Sequence, residues 1–192
     1  MALRLITAPV VTPVTVAEME AQVRGDLTLE SALVETYIGA ITETAEANTR
    51  RAMITQEWEL SLDCFPASGV IPLPLPPLQS VTSIKYLDVA GTLQTIDPSG
   101  YAVDISGEPG RVVPAHGTAW PTTQDMPAAV AIRFVCGYGD TADTVPPAIK
   151  AWIMLNVADL YENRETVVIG NSVNRLSTMA DALLNPFRMV SW

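Results

Sequence analysis

The sequence predicts an α+β fold: a small helical bundle formed by N- and C-terminal helices, with an inserted antiparallel β-rich block. Helical periodicity marks both ends of the chain, and between them short alternating segments are separated by closely spaced turn residues. Hydrophobic residues make up 48% of the 192 residues and charged residues 17%, enough apolar material for one domain with an insertion. We expect an N-terminal arm and bundle helices over 1–54, the β-rich block over 55–144, and C-terminal helices with a tail over 145–192.

The chain begins with an extended arm and a short capped helix. The first fourteen residues include two prolines and show no helical pattern, so we expect an extended arm. Thr15–Glu18 has the spacing of a capping box, in which a hydroxyl and a carboxylate satisfy free amides at a helix start. A helix is therefore predicted over Val16–Arg24, ended by Gly25.

A longer helix is predicted over Leu29–Arg51. Its two terminal arginines suit the negative end of the helix dipole. The predicted apolar stripe follows i/i+3 and i/i+4 spacing through Leu29, Leu33, Tyr37, Ala40, Ile41, Thr44, Ala45 and Asn48.

The pattern then changes to a period of two. Trp58, Leu60 and Leu62 alternate with polar residues, which predicts a strand with one buried face. The proline-rich segment Val70–Pro77 cannot be a central strand, because each proline lacks a ladder donor, so we expect an edge strand or a polyproline-like crossing. Further strands are predicted at Val81–Leu87, Thr92–Ile96, Tyr101–Ile105, Gly110–Val113 and Val130–Val135.

The C-terminal part is predicted to return to helix and to end in an apolar tail. A helix over Pro147–Glu165 starts with a favourable proline, a loop covers Thr166–Ser177, and a short helix covers Thr178–Leu184. Chain ends are normally polar, so an apolar end either folds back on its own bundle or binds a partner. The candidate partner or subunit interface comprises Leu183, Leu184, Pro186, Phe187, Met189, Val190 and Trp192.

The charge distribution disfavours a protein that grips nucleic acid or spans a membrane. The net charge is −10, and all of the excess acid falls in residues 1–145. Affinity for nucleic acid comes mostly from basic groups on phosphates, whereas an acidic wall lets DNA pass without sticking. No segment has the roughly 18 unbroken apolar residues of a membrane helix, and no signal peptide is visible.

The chain shows no catalytic or metal-binding motif, so we predict neither an enzyme nor a bound cofactor or metal. The single histidine, His116, lies in a turn-rich segment without a nucleophile motif. Asp140 and Asp143 are predicted to lie in a solvated loop before a helix. Glu57 and Glu59 are predicted to lie on the solvent-facing side of an edge strand.

Cysteine and tryptophan are likewise assigned to packing. Cys64 and Cys136 are expected to be buried reduced thiols. Trp120-Pro121 and the tyrosines could form a carbohydrate-binding platform, but packing is the simpler interpretation for Trp58, Trp120 and Trp152.

Several segments together resemble one family of phage proteins. They are RAMITQEWEL, FP and IPLPLPPLQSVTSIKYLD within Arg51–Asp88, DPSGYAVD (Asp97–Asp104), GRVVPAHGTAWP (Gly110–Pro121), VAIRFVCGYGDTADTVPPAIKAWIMLNVADLYENRE (Val130–Glu165) and ALLNPFRM (Ala182–Met189). With the helix Leu29–Arg51 they cover nearly the whole chain. The sequence resembles the head–tail connector (adaptor) proteins of tailed phages and prophages, including gene-transfer-agent adaptors.

The resemblance implies a structural protein of a virion or phage-like particle, assembled in the bacterial cytoplasm. Family members form a homo-oligomeric ring, commonly a dodecamer, beneath the portal protein. The ring extends the DNA channel without sequence-specific binding and offers a platform to the next head-completion or stopper protein. In related connectors the C-terminal segment reaches toward the portal, and the matching positions here are Ala182–Met189. The family carries no catalytic residues. The alternative function is a β-rich virion decoration, or a receptor- or carbohydrate-binding module.

Overall fold

The computed structural model describes residues 1–163 and 177–189. The chain divides into two compact units: a β unit formed by Met1–Pro9 and Thr55–Tyr138, and a helical unit formed by Val10–Ile54 and Gly139–Trp192. The sequence placed the first nine residues with the helices and residues 139–144 with the strands. The predicted α+β class, with a β-rich block inserted between helices, is confirmed.

The larger sheet of the β unit contains the strands β1 (Ala2–Thr7), β2 (Gln56–Leu62), β4 (Leu78–Leu87), β5 (Leu93–Thr95) and β8 (Val130–Cys136). It is antiparallel throughout and has the strand order β1-β2-β8-β4-β5. The N-terminal arm is not free, because its first residues pair with β2 as an edge strand.

A smaller antiparallel sheet completes the β unit, with the order β3-β7-β6. Its strands are β3 (Ile71–Pro72), β6 (Tyr101–Asp104) and β7 (Arg111–Pro114). The proline-rich segment supplies the edge strand β3, as its missing amide donors require. The core of the β unit draws on both sheets and includes Leu60, Ile71, Leu73, Ile84, Val112, Val130, Ile132 and Phe134.

The helical unit contains α1 (Val16–Val23), α2 (Ser31–Thr49), α3 (Pro147–Glu162) and α4 (Ser177–Ala182). α3 packs on α1, α2 and α4, and α2 makes its most extensive helix contact with α3. The capping box is present: Thr15 Oγ1 accepts from Glu18 N, and Glu18 Oε2 accepts from Thr15 N. The predicted loop Thr166–Ser177 and the last residues of the predicted helix Pro147–Glu165 fall largely outside the described residues.

Two local predictions for the helices were wrong. Arg24, rather than Gly25, takes the left-handed conformation that ends α1, with φ 55°. The predicted apolar stripe of α2 is displaced by one position, because Val34, Ile38, Ala45 and Thr49 are buried while Leu29 is 99% exposed. Ala40, Thr44 and Asn48 are also exposed, and of the eight predicted positions Ala45 alone is fully buried.

The two cysteines differ in environment. Cys136 is buried on β8, as predicted, but Cys64 is exposed, so its prediction as a buried thiol was wrong. Cys64 follows the end of β2, where the chain leaves the sheet and alternation no longer assigns it a buried face. Neither cysteine forms a disulfide. In the described part of the chain, no helix has the length and apolar character needed to cross a membrane.

Candidate assembly surfaces

The described C-terminal segment, residues 183–189, lies against its own helical unit. α4 ends at Ala182, and a short 3₁₀ turn follows over Asn185–Phe187. Leu184 is completely buried between them. Because one side chain of this segment is fully removed from water, Leu184 anchors the segment to the unit.

Arg51 holds the backbone of this segment at the C-terminal end of α2. Its Nε donates to the carbonyl oxygen of Phe187 at 2.6 Å, and Nη2 lies 3.6 Å from the Sδ of Met189. The amide of Met189 donates to the carbonyl oxygen of Thr49 at 3.0 Å. Thr49 is the last residue of α2, where helix carbonyls need partners outside the helix, and the segment supplies one.

The seven predicted interface residues therefore have different environments. Leu184 is buried, Leu183, Phe187 and Met189 are half-buried, and Pro186 is exposed. Val190 and Trp192 lie outside the described residues. Their role in binding a portal or a neighbouring subunit stays a prediction.

Sequence reasoning missed Arg51 and Thr49 as partners of the C-terminal segment. It assigned Arg51 to the helix dipole, although its neighbour Arg50 is exposed and Arg51 is only 6% exposed. An arginine that is buried next to an exposed one indicates a specific partner, but the sequence does not reveal burial. The burial of Arg51 could therefore not be inferred before the fold was known.

The paired carboxylates of β2 lie on a polar sheet face and hold it together. Glu59 accepts from Arg4 at 2.7 Å and from Arg133 at 2.9 Å, bridging β1 and β8. The hydrogen bond from Arg133 is the main cause that lowers the pKa of Glu59. Glu57 accepts from Thr82 at 2.8 Å. Each carboxylate thus has a structural partner in the β unit.

The remaining sequence candidates lie apart from one another. His116 is exposed in a loop of the β unit, and Asp140 and Asp143 are exposed in the helical unit. Among the residues that the structure describes, no three histidine, cysteine or acidic side chains cluster as metal ligands would. The described side chains do not build an arrangement for acid–base or nucleophilic chemistry from these candidates.

An open groove of about 720 Å³ in the β unit contains the aromatic pair Phe65 and Trp120. The two rings are stacked, with their centroids 4.8 Å apart. Trp120 Nε1 donates to the carbonyl oxygen of Gly69 at 2.8 Å. Phe65 also contacts Tyr86 edge-on. Phe65 therefore covers one face of the indole, and the Trp120 side chain is half-buried.

The whole chain matches chains in solved structures of gene transfer agent particles. A structure described as the virion of a native gene transfer agent (GTA) particle matches with 23% identity and a TM-score of 0.80. The neck of an empty GTA particle computed with C6 symmetry matches with 25% identity and a TM-score of 0.79. The neck of a native GTA particle computed with C12 symmetry matches with 23% identity and a TM-score of 0.77. Each match covers 100% of this chain and 97% of the other chain.

Comparison with sequences is less informative than comparison with structures. No protein-family model matches the sequence, and a comparison with curated proteins finds no match. At 23–25% identity, the similarity lies in the arrangement of the backbone more than in the residues that form it. Over its whole length, the chain shares the fold of a protein from the neck of gene transfer agent particles.

Proposed function

We propose that this protein is a structural adaptor of the head–tail junction, forming a ring beneath the portal of a phage or phage-like particle. The observation that carries the proposal is the match of both units, over the whole chain, to chains in neck structures computed with C6 and C12 symmetry. A protein of a ring with that symmetry meets identical neighbours through heterologous contacts that close on themselves. Such a role depends on the position and shape of the protein in the ring and requires no catalytic group.

The charge of the chain suits the lining of a DNA channel. The net charge is −10, and residues 1–145 carry all of the excess acid. An acidic surface repels phosphate, so DNA could slide through such a ring without being held. The ring would extend the DNA channel and present a platform to the next head-completion protein.

The C-terminal segment would provide the contact with the portal. Burial of Leu184, the charged hydrogen bond of Arg51 and the hydrogen bond donated by the amide of Met189 together contribute about 3.5–7.5 kcal/mol before ordering costs. Ordering the seven residues 183–189 costs about 1 kcal/mol each. Because the two terms nearly cancel, the segment can leave its own unit when a partner offers a better apolar site.

The experiment is to image purified particles whose adaptor gene carries either the wild-type sequence or a stop codon after Ala182. The wild type should form a ring between portal and tail, and the truncated chain should be folded but absent from that position. A control with Leu93→Ser alters an exposed leucine of β5 and should leave the ring unchanged. Normal joining of heads and tails by the truncated protein would exclude the segment as the portal anchor.

A further inference from the structure

A groove on the helical unit has an apolar floor and an acidic rim. Its volume is about 820 Å³, and it lies where the chain enters α1, beside α2 and the turn that precedes α3. Ile38, 1% exposed, lies at its base. Val10 and Val11 line it while remaining 95% and 42% exposed. Apolar side chains that are this accessible gain free energy when a partner covers them.

Two acidic side chains at the rim of this groove point to a basic partner. Glu35 and Asp143 are exposed, and neither forms an ion pair among the described residues. Glu18, the third acid of the groove, is already paired with Lys150 at 2.5 Å. We call Val10, Val11, Ile38, Glu35 and Asp143 the acidic groove.

A projection with the complementary chemistry lies at the turn between α1 and α2. Leu29 is 99% exposed, and Arg24 is exposed five residues before it. Arg24 has a left-handed backbone, which glycine would adopt without cost, so local geometry does not favour an arginine there. The acid nearest in sequence, Asp26, instead accepts the amide of Thr28 at 2.8 Å. We call Arg24 and Leu29 the α1–α2 knob.

The two valines of the acidic groove and Arg24 lie at opposite ends of α1, whose eight residues span about 12 Å, whereas Glu35 follows Leu29 by six residues along the chain. A closed ring requires two different complementary patches on each copy, so that every copy uses both at once. Both patches belong to the helical unit. In a ring, each copy would offer its knob to one neighbour and its groove to the other.

We propose that the α1–α2 knob of one copy binds the acidic groove of the next copy in the ring. Leu29 would cover Val10, Val11 and Ile38, while Arg24 would meet Glu35 and Asp143. This inference rests on the proposed ring function, because a heterologous contact of this kind needs a ring to close it. The occupant of the groove is therefore a second copy of this chain.

Charge reversal tests the electrostatic half of the contact. Arg24→Glu alone and Glu35→Arg alone should each lower the number of copies per purified particle by about tenfold, and the double variant should restore it. Arg50→Glu and Glu43→Arg are matched controls, since Arg50 also ends a helix with a left-handed backbone and Glu43 is exposed on α2. The measurement is the number of copies per purified particle, by quantitative mass spectrometry.

Disulfide trapping tests the geometry in the same particles. In a Cys64→Ser background, Leu29→Cys with Val10→Cys should give a ladder of cross-linked copies on mild oxidation. Leu29→Cys alone should give none. If Leu29→Cys alone gives dimers, the contact is symmetric and the proposal is wrong.

The outcomes separate this inference from the proposed function. If wild-type particles contain a ring but the double charge variant is not restored and no ladder forms, the knob–groove contact is wrong while the ring stands. Loss of incorporation with Glu35→Arg that Arg24→Glu cannot restore would mean that another protein occupies the groove. If wild-type particles contain no ring, the proposed function fails and this inference fails with it.

Discussion

Replacing Arg51 with methionine should release the C-terminal segment without unfolding the helical unit. Methionine keeps most of the apolar volume of the buried side chain but cannot donate to the carbonyl oxygen of Phe187, now 2.6 Å from Arg51 Nε. A hydrogen bond with a charged donor is worth about 2 kcal/mol, which corresponds to about a 30-fold change in the docking equilibrium. Docking that is already marginal should then favour the released segment.

Amide hydrogen exchange resolves this effect residue by residue. The amide of Met189, which donates to Thr49 at 3.0 Å, should exchange about twofold faster in the variant, because docking that is nearly balanced already leaves this amide open for about half of the time. The amide of Ile153, in the middle of α3, should exchange at its wild-type rate. Arg50→Met is the matched control, because Arg50 is the exposed neighbour at the same helix end.

Equal acceleration at Met189 and Ile153 would refute this reasoning. It would mean that Arg51 stabilises the helical unit as a whole and that the segment has no separate opening. Unchanged exchange at Met189 would show that Leu184 alone holds the segment.

Three further predictions concern the two units separately. Thr15→Ala should lower the free energy of unfolding by about 1 kcal/mol in urea titration, because α1 loses its capping box, and Thr15→Ser should retain it. Arg133 lowers the pKa of Glu59 in the folded protein. The stability that Glu59 contributes is therefore fully present above its ordinary pKa near 4.3 and is lost as the pH falls through its pKa in the folded state. Glu59→Gln should remove that part of the decrease in melting temperature at acid pH. Gly110→Ala should cost about 1–3 kcal/mol, because a new Cβ would lie 2.6 Å from Leu78 Cβ, whereas Gly107→Ala should be mild.

The elements that the sequence predicted best are those set by local chemistry. The capping box at Thr15 fixed the start of α1 to the residue. The alternation of apolar and polar residues located β2, and the prolines predicted correctly that β3 lies at the edge of a sheet. These signals act within a few residues, so no knowledge of the rest of the chain was needed.

The buried face of α2 could not be predicted from periodicity. Two apolar residues stand side by side at successive turns, as at Leu33–Val34 and Tyr37–Ile38, so two stripes fit the helical period equally well. Packing against α3 selects the second residue of each pair. That choice depends on residues more than 100 positions away in the sequence.

The candidate assembly surfaces were predicted only in part. Apolar composition pointed to residues 183–189, but the contacts of Arg51 with Phe187 and Met189 join residues 136 and 138 positions apart. The acidic groove and the α1–α2 knob were not predicted at all, since Leu29 was assigned to a buried stripe. Exposure of a large apolar side chain becomes informative only when the fold shows that nothing covers it.

Cryogenic electron microscopy of purified particles, with this chain identified in the density, tests the central claim most directly. The account predicts a closed ring of copies between portal and tail, with the C-terminal segment of each copy directed at the portal. Finding the chain on the capsid surface or on tail fibres, or as isolated copies outside the neck, would contradict it.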